Sequence, residues 1–223
     1  MYLSRLILNP RSRQVRSELA RPYEMHRTLL AAFPQGKVHV ERTAEEAIGL
    51  LYRIDEEIRT GDLHLLVQSQ QAPMWSLLPV QDYLLPVADN PAMREVSLHL
   101  QPGQVLAFRL RANPTRRLSA GKGNKGKRIG VYKEQEQEAW LRRKGDQHGY
   151  RVLHVQISRS NLLKQADVIR DTKGDAHDLK LFSVQFDGVL QVVDAERFGQ
   201  AIAAGVGSGK AFGCGLLSVA RAG

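Results

Sequence analysis

The chain has 223 residues, 43% of them hydrophobic, and its 32 Lys and Arg against 23 Asp and Glu give a net charge of +9. This content supports a folded core in one large domain or two small ones, and the positive charge indicates a polyanionic partner, most often nucleic acid. The single cysteine, Cys214, excludes an internal disulfide and a cysteine-based zinc site. Because the apolar runs are too short for a signal peptide or a membrane span, we expect a cytoplasmic protein without a membrane partner.

The first ninety residues predict one ferredoxin-like domain, in which strand, helix, strand, strand, helix and strand follow one another. Apolar runs bounded by Asn, Pro and Gly predict the strands, and Pro22 restarts the first helix. The predicted elements are a strand at 2–8, helices at 12–20 and from 22, a hairpin of strands at 48–55 and 63–70, one helical turn at 73–78 and a closing strand at 83–87.

The same order of elements repeats after a predicted linker at residues 91–103. Asp187-Gly188 predicts a hairpin turn, and Asp194 predicts a helix N-cap. The fold class is therefore α+β, with two tandem ferredoxin-like (RRM-like) βαββαβ domains at residues 1–90 and 104–223. The predicted elements of the second domain are strands at 104–111, 150–157, 180–186, 189–193 and 212–219, and helices at 134–143 and 194–204.

The second predicted helix carries two candidate catalytic side chains, Tyr23 and His26. They stand three residues apart and therefore share a face of the helix. Met25, Leu29 and Phe33 form an apolar stripe at a spacing of four, which places His26 at the edge of the core. A histidine exchanges protons near neutral pH, so His26 is either a general acid or base or a packing residue, and the spacing alone leaves both open.

The positive charge is concentrated in the middle of the chain. No Asp or Glu occurs between Val96 and Lys133, and such clustering is typical of phosphate binding. Aromatic residues make up only 6% and are not interleaved with these cations, which favours an RNA duplex or hairpin held by its backbone over a stacked single strand. The alternative is a mobile, solvated loop. The cations of this stretch are Arg109, Arg111, Arg116, Arg117, Lys122, Lys125, Lys127, Arg128 and Lys133.

A glycine-rich segment, residues 204–215, lies between the last predicted helix and strand. It fails the P-loop pattern, because Ala204 and Ala211 occupy positions that require Gly and Ser or Thr, and it fails the dinucleotide-binding pattern as well. Its glycines permit positive φ, and its N–H groups together with Lys210 are suited to hold an anion; a merely tight connection is the alternative. The glycines are Gly205, Gly207, Gly209, Gly213 and Gly215.

Three motifs in this order resemble the CasE family, the CRISPR RNA-processing endoribonucleases of the type I-E Cascade complex. They are PYEMHR at 22–27, RLRANP at 109–114, and the segment 205–219, whose glycines follow the pattern Gly-x-Gly, five residues, Gly-x-Gly. The resemblance implies two ferredoxin-like domains and metal-independent cleavage of the repeat hairpin in precursor CRISPR RNA, with the product retained in Cascade. The family's active-site tyrosine and histidine fall on Tyr23 and His26, and its glycine loop falls on 205–215.

The expected reaction is attack of a ribose 2′-hydroxyl on the neighbouring phosphate, which leaves a 2′,3′-cyclic phosphate and a 5′-hydroxyl. His26 is the candidate acid or base, Tyr23 orients the hydroxyl or donates to a phosphate oxygen, and Arg27 or Lys210 stabilises the developing charge. The RNA supplies its own nucleophile, so we expect no metal and no small-molecule cofactor. The expected partners are the precursor CRISPR RNA hairpin and the other Cascade subunits.

A non-catalytic subunit that binds structured RNA is the alternative function, since it requires the same fold and charge. Under either function we expect RNA contacts from basic residues along the chain. These are Arg21, Arg27, Arg109, Arg111, Arg116, Arg117, Lys122, Lys125, Lys127, Arg128, Arg159 and Lys164.

Overall fold

The computed structural model describes residues 1–33, 47–78, 82–118, 128–159, 167–170, 176–179 and 181–222, and for 159, 167–170 and 176–179 it describes the backbone alone. In the described residues, no helix is long and apolar enough to cross a membrane.

The N-terminal half forms a four-stranded antiparallel sheet with the strand order β2-β3-β1-β4. The strands are β1 (Tyr2–Leu8), β2 (Leu51–Glu56), β3 (Leu63–Ser69) and β4 (Ala92–Glu95); the helices are α1 (Arg13–Ala20) and α2 (Pro22–Leu30). Val15 of α1 and Met25 and Leu29 of α2 are buried against Leu6 and Val67 of the sheet. This order, with a single 3₁₀ turn at Trp75–Leu77 before the last strand, confirms the predicted ferredoxin-like fold.

The closing strand of this sheet was predicted at residues 83–87, and that prediction is wrong. Ala92–Glu95, which lies in the segment predicted to be a linker, pairs with β1 instead. The stretch 83–87 meets β1 only through a bridge between Leu8 and Leu84. The carboxamide of Asn90 then bonds both backbone groups of Ile7, at 2.8 and 2.9 Å, and so occupies the next position of the ladder.

The C-terminal half forms a second four-stranded antiparallel sheet, with the order β12-β5-β11-β8. The strands are β5 (Val105–Ala112), β8 (Tyr150–Arg159), β11 (Val184–Val192) and β12 (Leu217–Arg221); the helices are α3 (Glu134–His148) and α4 (Ala195–Ala204). Trp140 and Phe198 of these helices pack against Leu110 and Phe186. Two ribbons accompany this sheet, β6 (Thr115–Arg117) with β7 (Arg128–Gly130), and β9 (Asp167–Arg170) with β10 (Ala176–Leu179).

Two glycines mislead the sequence prediction in this half. Asp187-Gly188 is not a turn, because β11 runs straight through it between β5 and β8. A Cβ on Gly188 would lie 2.1 Å from the carbonyl oxygen of His154, so glycine permits the close approach of β8. Likewise α3 does not end at residue 143 but continues to His148, since Gly145 makes room for the carbonyl of Tyr150.

Arg53 of β2 joins the two sheets. Its side chain is 4% exposed and bonds both carboxylate oxygens of Asp55 through Nε at 3.0 Å. Its Nη1 donates to the hydroxyl of Ser218 at 2.6 Å and to the carbonyl oxygens of Arg109 and Leu216 at 3.2 and 3.4 Å. A buried guanidinium from the first half therefore satisfies backbone groups of the second.

Candidate active site

The first turn of α2 presents Tyr23 and His26. Pro22 opens this helix, where its missing N–H would have no helical partner. The next residue along, Tyr23, stacks on His26 with ring centroids 6.3 Å apart. Met25 and Leu29 anchor the opposite side of the helix in the core with no exposed area, so the helix cannot rotate without opening that core.

His26 lies deeper than the edge position that the spacing predicts. It is 8% exposed, and its ring stacks on Tyr52 with centroids 6.4 Å apart, whereas Tyr23 is 37% exposed. Burial removes water from the imidazolium and lowers the pKa of His26 from 6.5 to about 4. His26 is therefore neutral at physiological pH.

The glycine-rich segment lies directly against α2, although almost two hundred positions separate them along the chain. Phe212 stacks on Tyr23 with centroids 5.8 Å apart. The hydroxyl of Tyr52 lies 2.6 Å from the carbonyl oxygen of Pro22 and 3.2 Å from that of Ala211. Tyr52 thereby contacts both the start of α2 and the 3₁₀ turn Lys210–Phe212.

Two glycines show why this segment excludes side chains. Gly205 has φ 78°, and a Cβ there would lie 2.8 Å from Leu51; Gly213 has φ 73°, and its Cβ would lie 3.1 Å from the ring of Tyr52. Both contacts cross from one half of the chain to the other. The N–H groups of Gly205, Gly213 and Gly215 donate to carbonyl oxygens of the protein, which corrects the expectation that the N–H groups of these glycines hold an anion.

An apolar cavity of about 740 Å³ opens beside His26. Its walls come from α2, from the start of β2 and the end of β3, and from the C-terminal end of α4. The lining residues are His26, Leu30, Gly49, Leu50, Leu51, Gln70, Gln200, Ala203, Ala204, Lys210 and Ala211.

A basic cavity of about 630 Å³ lies on the other side of the glycine segment. Burial, followed by the charges of Lys144, Arg197 and Lys210, lowers the pKa of His148 at its wall. These cations repel one another, so a bound polyanion would relieve the repulsion. Of the described residues, only Lys210 lines both cavities. The lining residues are Thr115, Arg116, Arg117, Arg128, Trp140, Lys144, His148, Gly205, Gly207, Ser208, Gly209 and Lys210.

Three of the predicted RNA-binding arginines, Arg116, Arg117 and Arg128, come together in the basic cavity. Arg21 and Arg27 do not line it; they are exposed on the helices beside Tyr23, where Arg21 bonds Ser17 and Arg27 pairs with Glu24.

Two further predicted arginines are committed to the protein itself. Arg109 is half-exposed and pairs with Asp187 and Asp55. Arg111 is 3% exposed, so its predicted contact with RNA is not supported; its guanidinium lies near Asp55 and Tyr52 of the first half and Cys214 of the second. Its carbonyl oxygen accepts from the N–H of Gly215 at 2.7 Å, which holds the end of the glycine segment. Lys122, Lys125, Lys127 and Lys164 and the side chain of Arg159 lie outside the described residues.

Sequence reasoning missed three residues of this region. Lys144 and His148 follow Trp140 at spacings of four along α3, a signal that the shorter predicted helix concealed. Tyr52 gave no signal, because its partners lie 30 and 159 residues away. Among the described residues, no group of three or more His, Cys, Asp or Glu is placed to hold a metal ion.

The chain is similar to known proteins along nearly its whole length. The chain is 40% identical to the CRISPR-associated endoribonuclease Cse3 of Thermus thermophilus over 99% of this chain and 100% of the relative. It is 32% identical to the CRISPR system Cascade subunit CasE of Escherichia coli over 99% of each chain. A structure of the CRISPR endoribonuclease Cse3 bound to 19 nt RNA superposes with a TM-score of 0.76 at 39% identity, over 99% of both chains. Residues 1–221 match the family of CRISPR-associated proteins, and the chain belongs to that family.

Proposed function

We propose that this protein is an endoribonuclease that cleaves the repeat hairpin of precursor CRISPR RNA and stays bound to the product as a subunit of Cascade. The observation that carries the proposal is the arrangement of Tyr23, His26 and Lys210. Tyr23 stacks on His26, and His26 lines the apolar cavity together with Lys210. Lys210 also lines the basic cavity. The names of the related proteins support the same activity and the same assembly. We place this activity in the cytoplasm.

In the proposed reaction, the neutral imidazole of His26 takes the proton from a ribose 2′-hydroxyl. The 2′-oxygen forms a bond to the adjacent phosphorus, the bond from phosphorus to the 5′-oxygen breaks, and the departing oxygen takes a proton from water. The hydroxide that remains takes the proton from His26, which returns to its neutral form. The products carry a 2′,3′-cyclic phosphate and a 5′-hydroxyl. The hydroxyl of Tyr23 donates to a phosphate oxygen, and the ammonium of Lys210 stabilises the charge that develops there.

In this proposal the basic cavity binds phosphates of the hairpin stem, and the stem itself lies outside it. Arg116, Arg117 and Arg128 line one side of it, and Lys144 and His148 line the other. Contacts to the phosphate backbone position a duplex without reading its bases, which suits the scarcity of exposed aromatic platforms along this cavity. We keep Arg159, Lys122, Lys125, Lys127 and Lys164 as proposed RNA contacts.

The experiment compares the natural protein with His26→Ala on a labelled repeat RNA in the presence of a chelator. We expect cleavage to slow by roughly 10²–10⁴-fold while RNA binding persists, since general acid–base catalysis contributes about that much. A substrate with a 2′-deoxy group at the cut should bind and remain intact. Cleavage of that substrate would exclude 2′-hydroxyl attack, and intact repeat RNA bound by the natural protein would indicate a non-catalytic subunit.

A further inference from the structure

His26 and Lys210 line the apolar cavity, but the rest of its lining has no part in the proposed reaction. Its volume of about 740 Å³ falls within the range of about 300–1,000 Å³ that is typical of small-molecule sites. Six of its lining residues are aliphatic: Leu30, Leu50, Leu51, Ala203, Ala204 and Ala211. A site of this kind, next to a phosphate-binding region, suits a flat, weakly polar ring that is attached to a phosphate.

Two carboxamides stand at the rim of this cavity. Gln70 follows β3, and Gln200 lies on the face of α4 that also carries Ala203 and Ala204. Both side chains are exposed, and each uses its amide nitrogen in a long hydrogen bond, 3.5 Å to the carbonyl oxygen of Ala203 for Gln70 and 3.3 Å to Glu196 for Gln200. Bonds of this length are exchanged readily. A carboxamide presents a donor and an acceptor side by side, which is the pattern that pairs with the edge of a nucleobase.

The charges around the cavity also favour a base that is attached to a phosphate. Among the described lining residues there is no carboxylate, and Lys210 is the cation at the border with the basic cavity. Because Lys210 lines both cavities, an RNA whose stem phosphates lie in the basic cavity would bring its next unpaired base toward the apolar cavity.

The geometry of cleavage also requires a pocket for a base that has left the stack. In a stacked A-form strand the 2′-oxygen is not in line with the bond that breaks, so a reactive geometry requires the nucleotide at the cut to leave the stack. Enzymes that extrude a base supply a pocket that compensates for the lost stacking.

From these observations we propose that the apolar cavity binds the base of the first unpaired nucleotide at the foot of the RNA hairpin, and that Gln70 and Gln200 read its edge. This inference rests on the proposed function, because it takes RNA as the substrate. It makes the two glutamines specificity-determining residues and leaves the chemical step to His26.

The test uses four hairpin RNAs that differ only in that unpaired base, together with a fifth that lacks the base. Single-turnover cleavage is measured for the natural protein, for Gln70→Ala and for Gln200→Ala. The control is Gln135→Ala, an exposed glutamine at the start of α3 that lines neither cavity. We expect the natural protein and the control to prefer one base by roughly 5- to 150-fold and each of the other variants to lose most of that preference.

A second measurement follows the base directly. The unpaired position carries 2-aminopurine in an RNA made uncleavable by a 2′-deoxy group, and its fluorescence should rise on binding as the base leaves the stack. Equal rates for all five RNAs, a preference that survives in both glutamine variants, or unchanged fluorescence would overturn the base site. The proposed function is tested separately, by whether the natural protein cleaves the RNA and His26→Ala does not. Failure of the base site can therefore be distinguished from failure of the proposed function.

Discussion

At the scale of single residues, the chemistry of His26 depends on the rings packed against it. The rings of Tyr23 and Tyr52 stack with the imidazole of His26 at centroid distances of 6.3 and 6.4 Å. His26 is 8% exposed. Because this burial disfavours the charged imidazolium, the neutral form persists far below pH 6.5. The proposed role as a base requires this neutral form, since a base must be unprotonated before the reaction.

The pH dependence of cleavage tests that role. The value of kcat/KM reports ionisation in the free enzyme, where the pKa of His26 is about 4. We therefore expect kcat/KM for short repeat RNAs to be unaffected by this group between about pH 5.5 and 7, and to fall as the pH drops through about 4 and the imidazole becomes protonated. Circular dichroism at each pH checks that the protein stays folded. An activity that instead falls as the pH rises through this pKa would show that His26 serves as the acid.

Tyr52 supplies the second prediction at this scale. Tyr52→Phe keeps the ring beside His26 but removes the hydroxyl that contacts the carbonyl oxygens of Pro22 and Ala211. We expect a loss of about 1–3 kcal/mol in the free energy of unfolding and a lower cleavage rate at saturating RNA, with the affinity for 2′-deoxy RNA unchanged. Tyr132→Phe, at a residue 62% exposed, is the control. If Tyr52→Phe cleaves like the natural protein, this hydroxyl does not position the site.

At the scale of elements, β11 depends on the absence of a side chain at Gly188. A Cβ at this position would lie 2.1 Å from the carbonyl oxygen of His154 in β8, and β11 cannot move away from β8 without breaking its own pairing with β5. An added methyl group at Gly188 therefore has to be admitted by displacing the edge strand β8.

Gly188→Ala should destabilise the protein by about 1–3 kcal/mol, because the strands must separate locally to admit the methyl group. The matched change is Gly199→Ala in the interior of α4, where the nearest atom, Cδ1 of Leu100, is 3.8 Å from the new Cβ. That change should be neutral or stabilise by up to about 1 kcal/mol, since alanine is the better helix former. Urea denaturation of both variants measures the difference, and equal midpoints would contradict the proposed crowding.

The elements that the sequence predicts correctly are those whose own residues specify them. α2 has a proline at its start and an apolar stripe, and β1 is rich in apolar residues and ends before Asn9-Pro10, so both have local signals. β4 has none, because Ala92–Glu95 is a short, largely exposed edge strand fixed by the neighbouring bonds of Asn90 to Ile7. At Gly188 the local turn signal yields to pairing with strands on both sides.

The residues of the candidate site also divide into those with a local signal in the sequence and those without one. Tyr23, His26 and the glycines stand out in the sequence, because their spacing and composition are unusual. Tyr52 and the burial of Arg111 follow only from contacts between distant parts of the chain, and no local pattern reports them.

At the scale of the whole molecule, Arg53 holds together the two halves that share the site. Its guanidinium lies between Asp55 of the first sheet and Ser218 of the second. α2 belongs to one half and the glycine segment to the other, so the distance between His26 and Lys210 depends on this junction.

Arg53→Met should lower the free energy of unfolding by about 3 kcal/mol, because it leaves Asp55 and three acceptors of the second half without their buried cation. Arg5→Met, at an exposed position of β1 in the same sheet, is the control and should change stability by no more than about 0.5 kcal/mol. Urea denaturation measures both. Equal free energies of unfolding for the two variants would show that Arg53 does not stabilise the contact between the two halves.

The glycine segment is closed by its own backbone before any RNA arrives. The N–H of Val206 bonds the carbonyl oxygen of Gly215 at 2.8 Å, and the N–H of Gly215 bonds that of Arg111 at 2.7 Å. A preformed surface of this kind loses little conformational entropy when a ligand docks, so more of the contact energy remains as affinity. Retention of a cleaved RNA, rather than its release, is the behaviour that such rigidity favours.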